Sequence, residues 1–380
     1  MIYFDNAATS FPKPKRVAQS VGGAFAQYGA NPGRSGHQMS MQTAIKVYEA
    51  REELSLLFGL QSPEEVVFTQ NCTHAVNVAL KGLLRSGDHV IISDLEHNAV
   101  LRPVHTLAQR GLITYSMAET FPDTQKTVAS FDALVRPNTR LIACTHASNV
   151  FGSVLPIEEI GRLCRDRDLL YMVDAAQSAG VLEINPRVCG IDFLCVAGHK
   201  GLYGPTGTGA LITLLGSLLD TIIEGGTGSF SASFDQPREM PDRMESGTLN
   251  TMGILGLGAG VSFVREKTCK AIYTHEMKLA AELLSQLKAL PQVVLYTPDF
   301  GYGTHVPVVS FNIKGKPSEE TTAMLDGAGF ALRGGLHCAP LAHRKMGTLE
   351  TGTARISIGA FNTIEHVNML CEAIEKSAKG

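Results

Sequence analysis

Leu170-Tyr171-Met172-Val173-Asp174-Ala175-Ala176-Gln177, followed by Phe193-Leu194-Cys195-Val196-Ala197-Gly198-His199-Lys200, are the passages whose reading decides the fold. Each opens on a short apolar run and ends in polar residues, the pattern of a strand buried on both faces. Working outward, Val66-Val67-Phe68-Thr69, His89-Val90-Ile91-Ile92-Ser93, Leu141-Ile142-Ala143-Cys144-Thr145 and Gly209-Ala210-Leu211-Ile212-Thr213-Leu214 read the same way. Helical patterns lie between them. Val76, Leu80, Leu83 and Leu84 fall on one face, a second helix runs over about 100–109, and Pro156 suits the first turn of a third. Apolar strands alternating with helices predict an α/β fold with a mostly parallel central sheet and helices on both faces. Ligands of such sheets bind beyond the carboxyl ends of the strands.

Beyond this region, residues 225–250 are rich in Gly, Ser and Pro and read as one long loop, a length that is uncommon without a function. Helices follow over 252–267 and 275–290, the latter aligning Leu279, Leu283, Leu287 and Leu290. A strand over 306–311 comes next, then a last helix carrying Ile364, Val367, Leu370 and Ile374. The change of pattern divides the chain into a large α/β domain over 15–255 and a smaller α+β domain made of 256–380 with 1–14.

The 380 residues suffice for a deep core, and 33 Lys+Arg against 36 Asp+Glu do not point to a nucleic-acid or anionic-membrane partner. The start, Met1-Ile2-Tyr3-Phe4-Asp5-Asn6, has neither the basic nor the apolar segment of a targeting signal. No apolar run approaches the length of a membrane span. The 8 cysteines form no CxxC pair, and most sit in apolar runs, so a reducing, cytoplasmic setting is expected. No metal site is expected, since the 12 histidines include no HExxH. Gly256-Leu257-Gly258-Ala259-Gly260 imitates a dinucleotide fingerprint, but its third Gly comes one residue early and no strand precedes it. Gly204-Pro205-Thr206-Gly207-Thr208-Gly209 lacks the Lys-Ser/Thr of a phosphate-binding loop.

Asp174 ends one strand and Lys200 stands 26 residues later, just past the next. A carboxylate and an amine on one ligand-binding edge are what pyridoxal 5'-phosphate requires: a Schiff-base partner, and an acid that keeps the pyridine nitrogen protonated. Taken singly, each is an ordinary strand-end or surface residue.

The motifs Asp5-Asn6-Ala7-Ala8-Thr9, Glu96-His97-Asn98, Ser148-Asn149-Val150, Val173-Asp174-Ala175-Ala176-Gln177, Gly198-His199-Lys200 and Arg333-Gly334-Gly335-Leu336-His337-Cys338-Ala339 occur in this order. In this the chain resembles the SufS-like cysteine desulfurases and selenocysteine lyases of the class V aminotransferase family, from residue 1 to about 370. The resemblance implies the fold of type I pyridoxal-phosphate enzymes and the conversion of L-cysteine to L-alanine, sulfur passing to Cys338 as a persulfide. It makes Lys200 the Schiff-base and proton-shuttling lysine, Asp174 the partner of the pyridine nitrogen, Gln177 a donor to the phenolate oxygen, and His97 the imidazole over the ring. Cys72, Thr73 and His199 would hold the phosphate, the first two through amides at a helix N-terminus. Thr227 would reach the phosphate of a partner subunit, which requires a homodimer. Arg355 would bind the substrate carboxylate, assisted by Asn149, with Arg333 supporting the cysteine loop or the substrate. Arg333 and His337 are positioned in sequence to lower the Cys338 pKa.

The chain also departs from the family. Asn71-Cys72-Thr73-His74 stands where Gly-Thr-Thr-Glu is common, Ala197 replaces a Ser, and Asn98 follows His97 where a second His is usual. Alternatives stay open at this point: a selenocysteine lyase, an aminotransferase indifferent to Cys338, or a sulfur carrier without turnover. A desulfurase also needs a sulfur-acceptor protein, which no segment identifies.

Overall fold

The computed structural model describes residues 1–32, 36–298, 301 and 303–379. In chain order the elements are β1 (Ile2–Tyr3), α1 (Lys15–Gln27), α2 (Gln38–Phe58), β2 (Val66–Thr69), α3 (Cys72–Leu83), β3 (His89–Ser93), α4 (Asn98–Gln109) and β4 (Thr114–Ala118). Then come α5 (Thr124–Asp132), β5 (Thr139–Thr145), α6 (Ile157–Asp166), β6 (Leu170–Asp174), α7 (Pro186–Cys189), β7 (Phe193–Ala197), β8 (Gly209–Thr213) and α8 (Thr251–Lys267). The last third holds α9 (Cys269–Lys288), β9 (Val293–Leu295), β10 (Val308–Ile313), α10 (Ser318–Gly327), β11 (Phe330–Ala331), α11 (Pro340–Lys345), β12 (Ala354–Ser357) and α12 (Ile364–Lys379).

The seven-stranded sheet has the order β2-β8-β7-β6-β5-β3-β4. Its strands run parallel except β8, which is antiparallel to both neighbours. Every residue of β2, β3, β7 and β8 is buried, which explains their unbroken apolar runs. The edge strand β4 is mostly accessible, so it lacks the apolar signal that revealed the others. Two apolar clusters cover the two faces of this sheet. Pro156 caps α6 instead of opening its first turn.

A second layer joins β12-β10-β9 antiparallel and pairs β1 with β11 in parallel. Its core gathers Phe4, Leu283, Phe311, Ile356, Leu370 and Ile374. β10 begins at Val308, two residues after the apolar run starts, because Val306 gives its N–H to the Gly152 carbonyl and packs with Ala147 and Val181 instead of pairing in the smaller sheet. The boundary expected at residue 256 falls inside α8. That helix packs on α1 and α2, and its Ile254, Leu255, Leu257 and Val261 belong to the core of the large sheet. α8 ends at Thr268, where φ is 68°, and from Leu279 onward α9 joins the core of the smaller layer. The dinucleotide-like glycines lie within α8 and serve close packing. A Cβ on Gly258 would sit 2.8 Å from that of Ala50, and one on Gly260 2.3 Å from the Leu202 carbonyl oxygen.

Residues 219–250 contain no helix or strand, a stretch that includes the 225–250 loop expected from composition. Their far end is fixed by a buried ion pair. Arg51 of α2 reaches Glu245 through two hydrogen bonds of 2.8 Å, Phe68 N–H donates to Glu245 Oε1 at 2.6 Å, and the guanidinium lies 4.4 Å from the Phe68 ring centre. No helix among the described residues is long and apolar enough to cross a membrane.

Candidate active site

At the carboxyl ends of β2, β5, β6 and β7 lies a cleft of about 200 Å³. Cys72, Thr73, His97, Asn149, Asp174, Gln177, His199, Lys200, Arg333 and Arg355 all line it, together with Ala7, Asn71 and His337. Sequence positions as distant as 7 and 355 meet there because the smaller layer closes over the strand ends.

Lys200 follows β7 on a turn where Gly198 packs closely on Thr208. An added Cβ would lie 2.2 Å from Thr208 Oγ1. Burial pulls the Lys200 pKa down, against the pull of Asp174. Asp174 is buried at the end of β6, and its Oδ1 receives Ala176 N–H at 2.9 Å and the Cys72 thiol at 3.3 Å. Asn71 caps α3 by accepting from His74 N–H. The amides of Cys72 and Thr73 then have no acceptor among the described residues and remain available to an anion.

His97 is also a cap, a role its sequence did not disclose. Its Nδ1 accepts from Ala99 N–H at 3.0 Å, leaving the proton of the neutral ring on Nε2. Burial lowers its pKa to about 4. Glu96, beside it, is fully buried. Its Oε1 accepts from the Ser93 hydroxyl and from Thr145 N–H at 2.8 Å, joining the β3 and β5 ends, and burial raises its pKa to about 8.

Arg355 is 1% exposed, and part of its fork is already engaged. Nη2 contacts Asp5 Oδ1 at 2.6 Å, Nη1 donates to the Asn149 carbonyl at 2.9 Å, and buried Nε has no acceptor among the described residues. Asp5 thus sets the orientation of the guanidinium, a part the motif containing it did not reveal. Gln177 donates one amide proton to the Ala7 carbonyl at 3.0 Å and keeps a second for the cleft.

Cys338 is the one exposed cysteine among the described residues. His337 and Cys338 both have left-handed backbones, φ 48° and 58°, a conformation that costs non-glycine residues energy unless the surroundings enforce it. Two clamps do so: Asn149 Nδ2 donates to the His337 carbonyl, and Asn98 N–H to the Cys338 carbonyl, each at 2.7 Å. Arg333 Nη2 stands 4.0 Å from Cys338 Sγ. His337 does not supply the second cation the sequence predicts. Its ring turns inward, Nε2 meets the Thr353 carbonyl at 2.9 Å, and burial lowers its pKa to about 2, so it is neutral.

Thr227 lies outside the cleft, lining a separate hollow with Tyr48, Arg51 and Glu245, its hydroxyl 3.0 Å from that of Ser229. Within one chain it does not meet Lys200.

The donor set fits pyridoxal phosphate. Buried His199 Nδ1 has no partner among the described residues, burial lowers its pKa to about 4, and the unengaged α3 amides lie in the same cleft. Asp174 Oδ2 receives no hydrogen bond among the described residues, so it is available to a protonated pyridine nitrogen.

The aminotransferase class-V family model matches residues 2–370. A protein of Methanothermobacter thermautotrophicus named "Probable cysteine desulfurase" is 34% identical, the match covering 99% of this chain and 94% of the relative. The apo structure of a cysteine desulfurase from Thermococcus onnurineus superposes with a TM-score of 0.93 at 32% identity, covering 100% of this chain and 95% of the other. A cysteine desulfurase structure from Escherichia coli, with an S-sulfonic acid, gives 0.89 at 26% identity, covering 99% and 94%. A parallel sheet with a lysine and a carboxylate at successive strand ends, matched from end to end by these proteins, makes this chain a member of the class V aminotransferase family.

Proposed function

We propose that this protein is a pyridoxal-phosphate-dependent cysteine desulfurase that converts L-cysteine to L-alanine and receives the sulfur on Cys338. The observation that carries the reading is the exposed Cys338 held on a clamped turn beside cleft-lining Arg333, next to the cleft that contains Lys200, Asp174 and Arg355. An aminotransferase has no use for such a thiol.

Pyridoxal phosphate, when bound, supplies an electron sink conjugated with the substrate α-carbon. His199 and the Cys72 and Thr73 amides would hold its phosphate, Asp174 its pyridine nitrogen and Gln177 its phenolate oxygen, with His97 beside the ring. Arg355 takes the substrate carboxylate, with Asn149 beside it. Lys200, whose pKa burial pulls down, removes the α-proton. Cys338 thiolate then attacks the substrate sulfur. The new S–S bond forms as the C–S bond breaks, and a proton replaces sulfur on carbon. One cysteine and one thiol thereby become one alanine and one persulfide, with no external oxidant.

Thr227, remote from its own cleft, suits delivery to the phosphate of a second copy, so the functional unit is a homodimer. Exposure of Cys338 suits transfer to a sulfur-acceptor protein, and cysteines that are all unpaired suit a cytoplasmic setting. Alanine release from L-cysteine and from L-selenocysteine by the cofactor-loaded protein, beside Cys338→Ser, tests the reading. Alanine from cysteine that is lost in Cys338→Ser supports it. Turnover of selenocysteine alone, or a 2-oxo acid product, refutes it in favour of the lyase or the aminotransferase.

A further inference from the structure

We infer that Cys72 is a positioning residue for Asp174, its thiol fixing the carboxylate so that one oxygen stays free for the pyridine nitrogen. The inference rests on the reading that pyridoxal phosphate occupies the cleft.

Both side chains are buried, Cys72 at 7% and Asp174 at 4% exposure, and both line the cleft with Lys200. A carboxylate rotates about its last bond between two equivalent orientations. Here that equivalence is broken. Ala176 N–H at 2.9 Å and the Cys72 thiol at 3.3 Å both engage Oδ1, and neither engages Oδ2. Burial and the nearby Asp174 charge raise the Cys72 pKa, so the sulfur keeps its proton and acts as the donor.

Cys72 is the first residue of α3, whose start is fixed by the Asn71 cap. The same helical turn offers the Cys72 and Thr73 amides to an anion. Phosphate and pyridine nitrogen are therefore both referred to one turn of chain, the phosphate through backbone amides and the nitrogen through the Cys72 side chain acting on Asp174. Cys72 is thus assigned a second task, independent of its amide. A thiol is a weak donor, so it orients Asp174 while drawing little charge from it. The carboxylate stays basic enough to hold a proton on the pyridine nitrogen.

The test uses the purified holoenzyme in wild-type, Cys72→Ala and Cys72→Ser forms. The visible absorption band of bound pyridoxal phosphate is titrated against pH, and cofactor release on dilution is measured. Cys72→Ala should move the pH midpoint of the band and weaken cofactor retention about five-fold, the scale of one hydrogen bond. Cys72→Ser, which restores a donor, should return both towards wild type. Superimposable titrations for wild type and Cys72→Ala, or a Cys72→Ser as altered as Cys72→Ala, would overturn the inference and leave the proposed activity untouched. A wild-type protein that binds no pyridoxal phosphate would overturn both.

Discussion

Glu245→Gln tests how the long loop is anchored. Arg51 and Glu245 side chains are only 6% and 5% exposed, and their two hydrogen bonds of 2.8 Å form a bidentate pair. Gln keeps the shape and one acceptor, so Phe68 N–H and Arg51 Nη1 retain a partner. Its amide nitrogen faces Nη2 as donor against donor, and the guanidinium is left buried without a counter-charge. Breaking one side of such a pair costs about 3–5 kcal/mol. An unfolding entropy of about 2.1 cal/mol/K per residue over 380 residues gives ~0.8 kcal/mol/K, so the loss corresponds to a fall in Tm of about 4–6 °C. The double variant Arg51→Met with Glu245→Leu removes both charges. It should return to within about 1–3 kcal/mol of wild type, the rest of the loss lying in the Phe68 amide and the Val66 carbonyl, which lose Glu245 and Arg51 as partners. Differential scanning calorimetry of the two variants reads both values. A Glu245→Gln loss below about 1 kcal/mol, the range of exposed ion pairs, or a double variant less stable than the single, would refute the account.

Arg355→Lys should raise the KM for L-cysteine about 10–100-fold with a smaller change in kcat, since a point charge cannot serve Asp5, the Asn149 carbonyl and a substrate carboxylate together; steady-state alanine formation measures this. Stability should peak near pH 6.5–7, as follows from the shifted groups. Glu96 and Glu276, raised to about 8, bind protons in the folded state that the unfolded chain has released. Their contribution is therefore full at low pH and is lost as pH rises to 8. His97, His146 and His199, lowered to about 4, and His337, lowered to about 2, act oppositely and cost stability as pH falls below 6.5. Urea unfolding across pH should show both limbs, and Glu276→Gln should flatten the alkaline one.

The parallel sheet was legible because its central strands are buried on both faces and write unbroken apolar runs. β4 was not legible, since its exposed edge carries no such run, and neither was α2, whose buried face includes the polar Ser40, Thr43, Arg51 and Ser55 and so writes no clear apolar stripe. In the cleft, Lys200 and Asp174 could be placed from spacing alone, because successive parallel strands end on one edge. Asp5 and Glu96 could not. Their partners, Arg355 at the far end of the chain and Thr145 on another strand, are joined to them only by tertiary folding. His337 misled for a similar reason: adjacency to Cys338 says nothing of which way the ring turns, and burial against Thr353 keeps it neutral.

The most direct test of the central claim is a single turnover of the cofactor-loaded protein with L-cysteine and no acceptor, followed by mass spectrometry of its cysteine peptides. One sulfur atom added to the Cys338 peptide, in step with one alanine per active site, is the predicted result. Alanine formed with Cys338 unmodified, or sulfur found on another cysteine, would contradict it.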